Sequence, residues 1–304
     1  MSTAKLYILG SGSALPTIKN SPAAQILNIR DKNFMIDCGE GAQIRISRMG
    51  INISRLNHIF ISHLHGDHCF GLIGLISTLG MFKRTSDLHI YAHKDLFKIL
   101  QVQLDFFCNE LSFKVIYHEI DPYNSTCIYE DKSINVYTIP LKHKMPTCGF
   151  LFKEKSNGRH IIREMIDFYK IPVKDIPKLK NGEDWIDADG NIIKNERLTT
   201  PASSVKSYAY CSDTSYNENI IPIIKGVDCL FHEATFLEEH KARAKETMHT
   251  TALGAATIAK KAEVKQLIIG HLSARYKDQK TVLDEAKSVF NQTLLAQDGL
   301  IIEF

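Results

Sequence analysis

The stretch ISHLHGDH, residues 61–68, places His63, His65, Asp67 and His68 within six positions at the end of an apolar run. Imidazole nitrogens and carboxylate oxygens are borderline-to-hard ligands, suited to Zn²⁺ or Mn²⁺ rather than to a thiolate-selecting metal. In an extended turn, residues two apart project to the same side, so His63 and His65 can grip one ion. Asp67 and His68 point elsewhere and can serve a second. On a helix, positions i and i+2 face apart, so an extended turn is expected for all four. A lone histidine on an apolar background is ordinarily a core or surface residue, but three with an aspartate in six positions point to metal.

Four side chains cannot complete two coordination spheres, and the remainder must come from elsewhere in the chain. His143 follows the apolar run INVYTIPL, Asp213 follows SYAYCS and His271 follows QLIIG, each repeating the way IFIS delivers His63. Asp213, with two carboxylate oxygens, is the expected bridge between ions. Two ions roughly 3.5–4 Å apart would lower the pKa of a shared water and clamp the attacking and leaving oxygens of a displacement at phosphorus. Phosphodiester hydrolysis is therefore the expected chemistry, with Asp67 steering the water or accepting its proton and His249 protonating the departing oxygen. Glu233, in FHEATF, could orient His249, in HTTA, through a hydrogen bond. The competing explanation for HTTA is helix capping by Thr250 or Thr251. Arg275 could hold a substrate phosphate or form a structural ion pair. Cys69, Cys148 and Cys211 lie near the ligands in sequence, where buried free thiols are the expectation.

These residues sit at the ends of strand-like runs, which the rest of the sequence must hold together. Of the 304 residues, 44% are hydrophobic and 23% charged, as in an ordinary folded protein. No apolar run reaches the roughly 18–20 residues of a membrane span, so a location in the cytoplasm, without a membrane, is expected. The seven cysteines include no C-x-x-C and exclude a disulfide framework. The formal charge of +3 permits a polyanionic partner without demanding one. Strands are expected at 5–10, 24–30, 33–38, 57–62, 88–92, 113–118, 134–141, 149–153, 208–212, 228–231, 266–270 and 300–304. Helices are expected at 42–49, 71–81, 94–107, 252–262 and 282–292. The segment 154–206 breaks this rhythm. It holds the only tryptophan, Trp185, and a basic run at Lys170, Lys174, Lys178 and Lys180, followed by Glu183, Asp184, Asp187 and Asp189. It is either a functional insertion or a solvated charged excursion.

The H-x-H-x-D-H motif with later His, Asp and His resembles the metallo-β-lactamase superfamily. LGSGSALPT, IDCGEG, PLKH, CSDT, FHEATF, HTTA and GHLSARY, in order along nearly the whole chain, look like the ribonuclease Z family, endonucleases that remove 3′ trailers from precursor tRNA. The resemblance implies a single α/β domain over 1–304, a four-layer αββα sandwich, with 154–206 as an inserted RNA-binding arm. It implies two Zn²⁺ per subunit, with Mn²⁺ or another divalent ion as substitute: His63, His65 and His143 on one, Asp67, His68 and His271 on the other, and Asp213 between them. Asp67 would be the general base and His249 the proton donor supported by Glu233. Cleavage would leave a 3′-hydroxyl on the tRNA and a 5′-phosphate on the trailer. The arm, with Lys170, Lys174, Lys178 and Lys180, would grip the tRNA elbow within a homodimer, one subunit's arm serving the other's site.

The arm sequence IPVKDIPKLKNGE lacks the family's usual Gly-Pro pair and glycine-rich stretch. PTIKN after the N-terminal glycines is one residue shorter than the usual P-x-K-x-R-N and lacks its arginine, which leaves the treatment of CCA ends open. Two other readings compete. A small-molecule phosphodiesterase or arylsulfatase-like hydrolase of the same superfamily would have no use for a basic arm. A non-catalytic RNA-binding protein with a structural zinc would ordinarily show a closed, mononuclear site.

Overall fold

Residues 3–304 are described in the computed structural model. Two seven-stranded sheets lie face to face. The first runs Ile301–Glu303, Lys5–Gly10, Ala24–Ile29, Lys32–Cys38, Leu56–Phe60, Leu88–Ala92 and Val115–Glu119. The second runs Thr293–Leu295, Gln266–Gly270, Cys229–Glu233, Ser207–Cys211, Cys148–Glu154, Ile134–Pro140 and Cys127–Glu130. In both, the strands that deliver candidate ligands from a βα rhythm pair in parallel, as in Lys32–Cys38 with Leu56–Phe60 and Cys229–Glu233 with Gln266–Gly270. Parallel strands covered on both faces need continuous apolar sequence, which is why QLIIG reads as a run without alternation.

Aromatic side chains fill the space between the sheets. Phe34, Phe60, Phe150, Phe152, Tyr208 and Tyr210 are all buried there. The Phe60 and Tyr91 rings stack at 4.5 Å, and Phe34 meets Phe152 at 5.5 Å, within the range where ring pairs add to area burial. Helices cover the outer faces. Ala42–Arg48, Leu72–Met81 and Lys94–Phe107 pack Ile46, Leu75, Leu79, Leu96, Leu100 and Leu104 against the first sheet. Ala252–Lys261 and Lys280–Val289 pack small and branched residues against the second. The architecture is thus a four-layer αββα sandwich. Among the described residues no helix is long and apolar enough to cross a membrane.

The segment 154–206 leaves the second sheet between its neighbouring strands Cys148–Glu154 and Ser207–Cys211 and forms a cluster of its own. Ile171, Leu179, Ile193 and Leu198 are buried together with Trp185, Met165 and Tyr169 around them. Two short ladders, His160–Ile161 with Thr199–Thr200 and Trp185–Ile186 with Ile192–Ile193, close its loops. The neck is fastened where Glu154 N–H donates to Lys206 O at 2.9 Å and Lys206 N–H donates to the Glu154 carboxylate at 3.0 Å. Lys170, Lys174, Lys178 and Lys180 are exposed. The acidic residues after them are largely occupied in turns: Asp184 accepts from Asn195 N–H and Lys194, and Asp187 from the backbone of Asp189 and Asn191.

Some boundaries differ from expectation. The strand leading into the histidine cluster ends at Phe60 rather than at 62: Ile61 N–H still reaches Tyr91 O at 2.9 Å, but Ser62 N–H goes to the Asp37 carboxylate at 2.7 Å. The last helix stops at Val289, where Phe290 adopts an extended φ of −137°, and residues 293–295 join the sheet edge as a strand. The edge strand Cys127–Glu130 was not expected. With four partly exposed residues it carries little periodicity.

Candidate metal centre

The site forms along the rim where the C-terminal ends of the strands of both sheets meet. His63 lies three residues beyond the strand Leu56–Phe60, His143 three beyond Ile134–Pro140, Asp213 two beyond Ser207–Cys211 and His271 one beyond Gln266–Gly270. His63 and His65 are in extended chain, as expected. Asp67 and His68 instead occupy a helical turn, Gly66–Cys69, entered from His65 at ψ 146°. That change of conformation within the motif, rather than one extended turn, is what separates the two pairs of side chains. Two glycines allow the turn to press against the strand end at Cys38: a Cβ on Gly71 would lie 2.1 Å from Gly39 O, and one on Gly39 would lie 2.6 Å from Asp67 O.

The candidate ligand atoms gather into two groups of the expected ligands, and His249 joins Asp213 and His271 in a third. One atom from each of His63, His65, His143 and Asp213 lies within 4.8 Å of the others, and Asp67, His68 and His271 form a second such group. The Asp213 carboxylate faces both. Its Oδ2 is 3.6 Å from His63 Nε2 and 3.7 Å from His143 Nε2, whereas its Oδ1 is 3.4 Å from His68 Nε2 and 3.2 Å from His271 Nε2. Asp67 Oδ2 lies 3.5 Å from His68 Nε2 and 3.4 Å from His271 Nε2.

The outward nitrogens of four of these five rings are held by the protein, and this fixes which nitrogen faces inward, whereas His65 turns its Nδ1 to the cluster. His63 Nδ1 meets Ser62 Oγ at 3.0 Å, His68 Nδ1 meets Asp37 Oδ2 at 2.7 Å, His143 Nδ1 meets Met248 O at 3.0 Å and His271 Nδ1 meets Thr235 Oγ1 at 3.1 Å. Meanwhile His68 Nε2 and Asp213 Oδ1 are buried without a hydrogen-bond partner. Buried polar atoms are almost always satisfied. Orphaned lone pairs aimed at one another across 3.4 Å, in an all-nitrogen-and-oxygen donor set, fit divalent cations.

The electrostatics agree with this packing. Burial, reinforced by neighbouring imidazoles, lowers the pKa of His63 and His65, and burial lowers that of His143. His68 is the exception. Burial alone would depress it, but Asp213 and Asp37 raise it well above the ordinary imidazole value. Burial would raise the Asp67 carboxyl, yet the His271 hydrogen bond and the His68 charge hold it below the usual carboxylate range. Asp213 is likewise held far down, against its burial, by His271, His68 and His63.

Beside the two groups stands a further pair. His249 Nδ1 meets Glu233 Oε1 at 2.8 Å. Glu233 is fully buried, and its other contacts come from Thr214 N–H to Oε1 and from Thr235 N–H and Oγ1 to Oε2. Burial by itself would lower His249, but the Glu233 charge and hydrogen bond raise it to about 9. Helix capping falls to Thr251, whose side chain accepts from Gly254 N–H, so His249 is not part of the cap.

The open side is a cleft of about 700 Å³ with His65, Asp67, His143 and His249 on its floor and Lys144, Arg243 and Arg275 on its walls. Arg275 lies 4.9 Å over the Phe236 ring and is exposed, with no carboxylate in ion-pair distance among the described residues. Lys170, Lys174, Lys178 and Lys180 are not part of this cleft. The cysteines are not among the candidate ligand groups. Cys148 and Cys211 are buried thiols whose pKa burial pushes upward, and burial raises Cys69 to about 11. His232 is buried behind Glu233, its Nδ1 on Glu233 O, and does not reach the cluster. His58, His89 and His118 stack along neighbouring strands away from the site.

Sequence reasoning missed the outer partners Asp37, Ser62, Thr235 and Tyr210. Asp37 is fully buried and accepts from Ser62 N–H at 2.7 Å, Ser62 Oγ at 2.9 Å and Tyr210 OH at 2.7 Å. The available signal was a carboxylate inside the apolar run FMIDC, where only a specific partner makes burial tolerable.

A family model described as Anti-Pycsar protein Apyc1 matches residues 4–162. The chain is 55% identical over 298 residues to a ribonuclease Z of Bacteroides thetaiotaomicron, covering 98% of this chain and 94% of that one. It is 48% identical over 303 residues to a ribonuclease Z of Porphyromonas gingivalis, covering both chains in full. Among solved structures, human tRNase Z, short form, superposes with a TM-score of 0.71 at 23% identity over 98% of each chain. The metallo-β-lactamase fold protein YhfI from Bacillus subtilis does so with a TM-score of 0.70 at 18% identity over the whole of both. At those identities the likeness speaks to the fold.

Proposed function

The chain belongs to the ribonuclease Z family, and from that premise we propose that its rim cluster is the centre at which precursor tRNA is cut. The protein is a metal-dependent endoribonuclease of tRNA 3′ processing, a hydrolase of the metallo-β-lactamase superfamily. The observation that carries the assignment of the site is the Asp213 carboxylate, one oxygen turned to His63 and His143 and the other to His68 and His271.

On this proposal His63, His65 and His143 would hold one divalent ion and Asp67, His68 and His271 another, with the Asp213 carboxylate available to both. Zn²⁺ suits the donor set, and Mn²⁺ can substitute. Such a pair supplies Lewis acidity at the phosphoryl oxygens and a water acidic enough to attack near neutral pH. The chain's own groups do the rest. Asp67 accepts the proton of the attacking water as its oxygen bonds to phosphorus. The P–O3′ bond breaks, and His249, protonated with the help of Glu233, gives its proton to the 3′-oxygen. The tRNA keeps a 3′-hydroxyl and the trailer a 5′-phosphate. Arg275 and its neighbours on the cleft wall are placed to meet phosphates.

We assign 154–206 as an RNA-binding arm of a single domain, its exposed lysines contacting phosphates by shape rather than by sequence. A homodimer, in which one subunit's arm serves the other's cleft, is part of the same proposal. The strip Ile99, Val102 and Phe106, exposed on one face of the helix Lys94–Phe107, gives a second copy an apolar surface to cover. The free state of all seven cysteines fits a reducing, cytoplasmic compartment.

The direct test incubates metal-loaded protein with a trailer-bearing precursor tRNA and maps the ends. One cut at the trailer junction, abolished by chelation and restored by zinc, is expected. Degradation without a defined end, or activity indifferent to chelator, would overturn the proposal. The acid role of His249 has its own test. Because Glu233 raises the His249 pKa, Glu233→Gln should shift the alkaline limb of kcat on a small phosphodiester to lower pH, by at least about one unit. Superimposable pH profiles would remove His249 from the role.

A further inference from the structure

The half of the centre formed by Asp67, His68 and His271 draws its ligands from both sheets, and a loop belonging to neither fastens two of them together. Ser11 O accepts the His271 N–H at 2.9 Å, and Gly12 pairs with Leu272 in an isolated parallel bridge. Ser13 Oγ donates to Leu272 O at 3.0 Å. Ala14, at a left-handed φ of 42°, then donates its N–H to Asp67 Oδ2 at 2.7 Å. That oxygen is the one facing His68 and His271. The base of the loop is anchored independently, since Asp298 accepts from Ser11 N–H and Oγ and from Ser21 N–H, with Arg45 at 3.4 Å. Among the described residues none of the loop's hydrogen bonds reaches His63, His65 or His143.

A carboxylate on a helical turn is free to rotate about its last torsion, and a charge-assisted hydrogen bond from a rigid backbone N–H removes that freedom. Partners of this kind orient metal ligands, and their loss ordinarily costs roughly 10–100-fold in metal affinity or activity. A non-glycine residue held at positive φ is itself costly, and it persists here because the neighbouring bonds to Asp67 and Leu272 define it. We propose that Ala14 is a positioning residue. Its backbone N–H sets the Asp67 carboxylate, and the residues 11–14 tie Asp67 to His271, so that this loop governs the affinity of one half of the centre and leaves the other half alone. The inference rests on the two-ion reading of the cluster.

The test removes the donor while keeping every side chain, by incorporating L-lactic acid in place of Ala14, which converts one amide to an ester and also weakens the Ser13 carbonyl that accepts from Leu15 N–H. Zinc binding to the stripped protein is followed by calorimetry, alongside kcat and KM on a chromogenic phosphodiester. Wild type should show two binding events. In the ester, one affinity should fall roughly 10–100-fold with the other unchanged. At limiting zinc kcat should fall in proportion, recover with excess zinc, and leave KM within about twofold. Ala14→Gly, which keeps the donor, should retain both affinities. Two undiminished affinities in the ester, or an equal fall in both together with a lower melting temperature, would overturn the proposal. A wild type that binds fewer than two ions would instead overturn the two-ion reading, and the proposal with it.

Discussion

Asp213→Ala is expected to lower kcat by roughly a thousandfold or more on precursor tRNA and on a chromogenic phosphodiester alike. The residue is 3% exposed, and its two oxygens lie between Nε2 atoms of His63 and His143 on one side and of His68 and His271 on the other. Deleting it leaves four converging imidazoles without the carboxylate that faces them all. Ions at such a site are worth several kcal/mol of transition-state stabilisation, and each ~1.4 kcal/mol is a factor of ten in rate. Both substrates must suffer because the chemistry at phosphorus is common to them. Steady-state kinetics with each substrate, on protein whose circular dichroism matches wild type, decides it. A loss below tenfold, or one confined to RNA, would mean that Asp213 does not lie at the reacting centre.

The opposite pattern is expected from the arm. Replacing Lys170, Lys174, Lys178 and Lys180 together with alanine should raise KM for precursor tRNA by roughly 10–100-fold. The logarithmic salt dependence should become shallower by about 3, because each phosphate contact carries a slope of roughly 0.7–0.9. Hydrolysis of the small phosphodiester should stay within about twofold of wild type. The separation is physical. These lysines are exposed on a segment whose buried cluster of Ile171, Leu179, Ile193 and Leu198 is distinct from the cores that hold the strand ends. Equal losses on both substrates would show that the segment supports the fold rather than the RNA.

What could be read from sequence divides along the range of the interactions. H-x-H-x-D-H is legible because its side chains are neighbours in the chain, and only its backbone was misjudged, since Gly66 begins a helical turn where an extended one was expected. His143, Asp213 and His271 could be picked out because each follows an apolar run, and the structure brings all three to the cluster. The layers follow from the same runs: parallel strands covered on both faces must be apolar throughout, so QLIIG declares itself, and SYAYC, parallel to one neighbour, nearly so, whereas the antiparallel INVYTIP shows through its alternation. Asp37 could be noticed as a carboxylate inside an apolar run, but its role could not be read. Its partners Ser62 and Tyr210 lie 25 and 173 residues away, and nothing local says which buried carboxylate holds which ring. The strand Cys127–Glu130 was missed because an edge strand with two exposed ends has no apolar face to announce it. The contact between Ala14 N–H and Asp67 is invisible to sequence for a further reason, since a backbone donor has no residue type.

The most direct measurement is anomalous diffraction at the zinc edge from crystals of metal-loaded protein. Two peaks per chain are predicted, one among His63, His65 and His143 and one among Asp67, His68 and His271, with an Asp213 oxygen on each. A single peak, or His143 and His271 remote from both, would contradict the account.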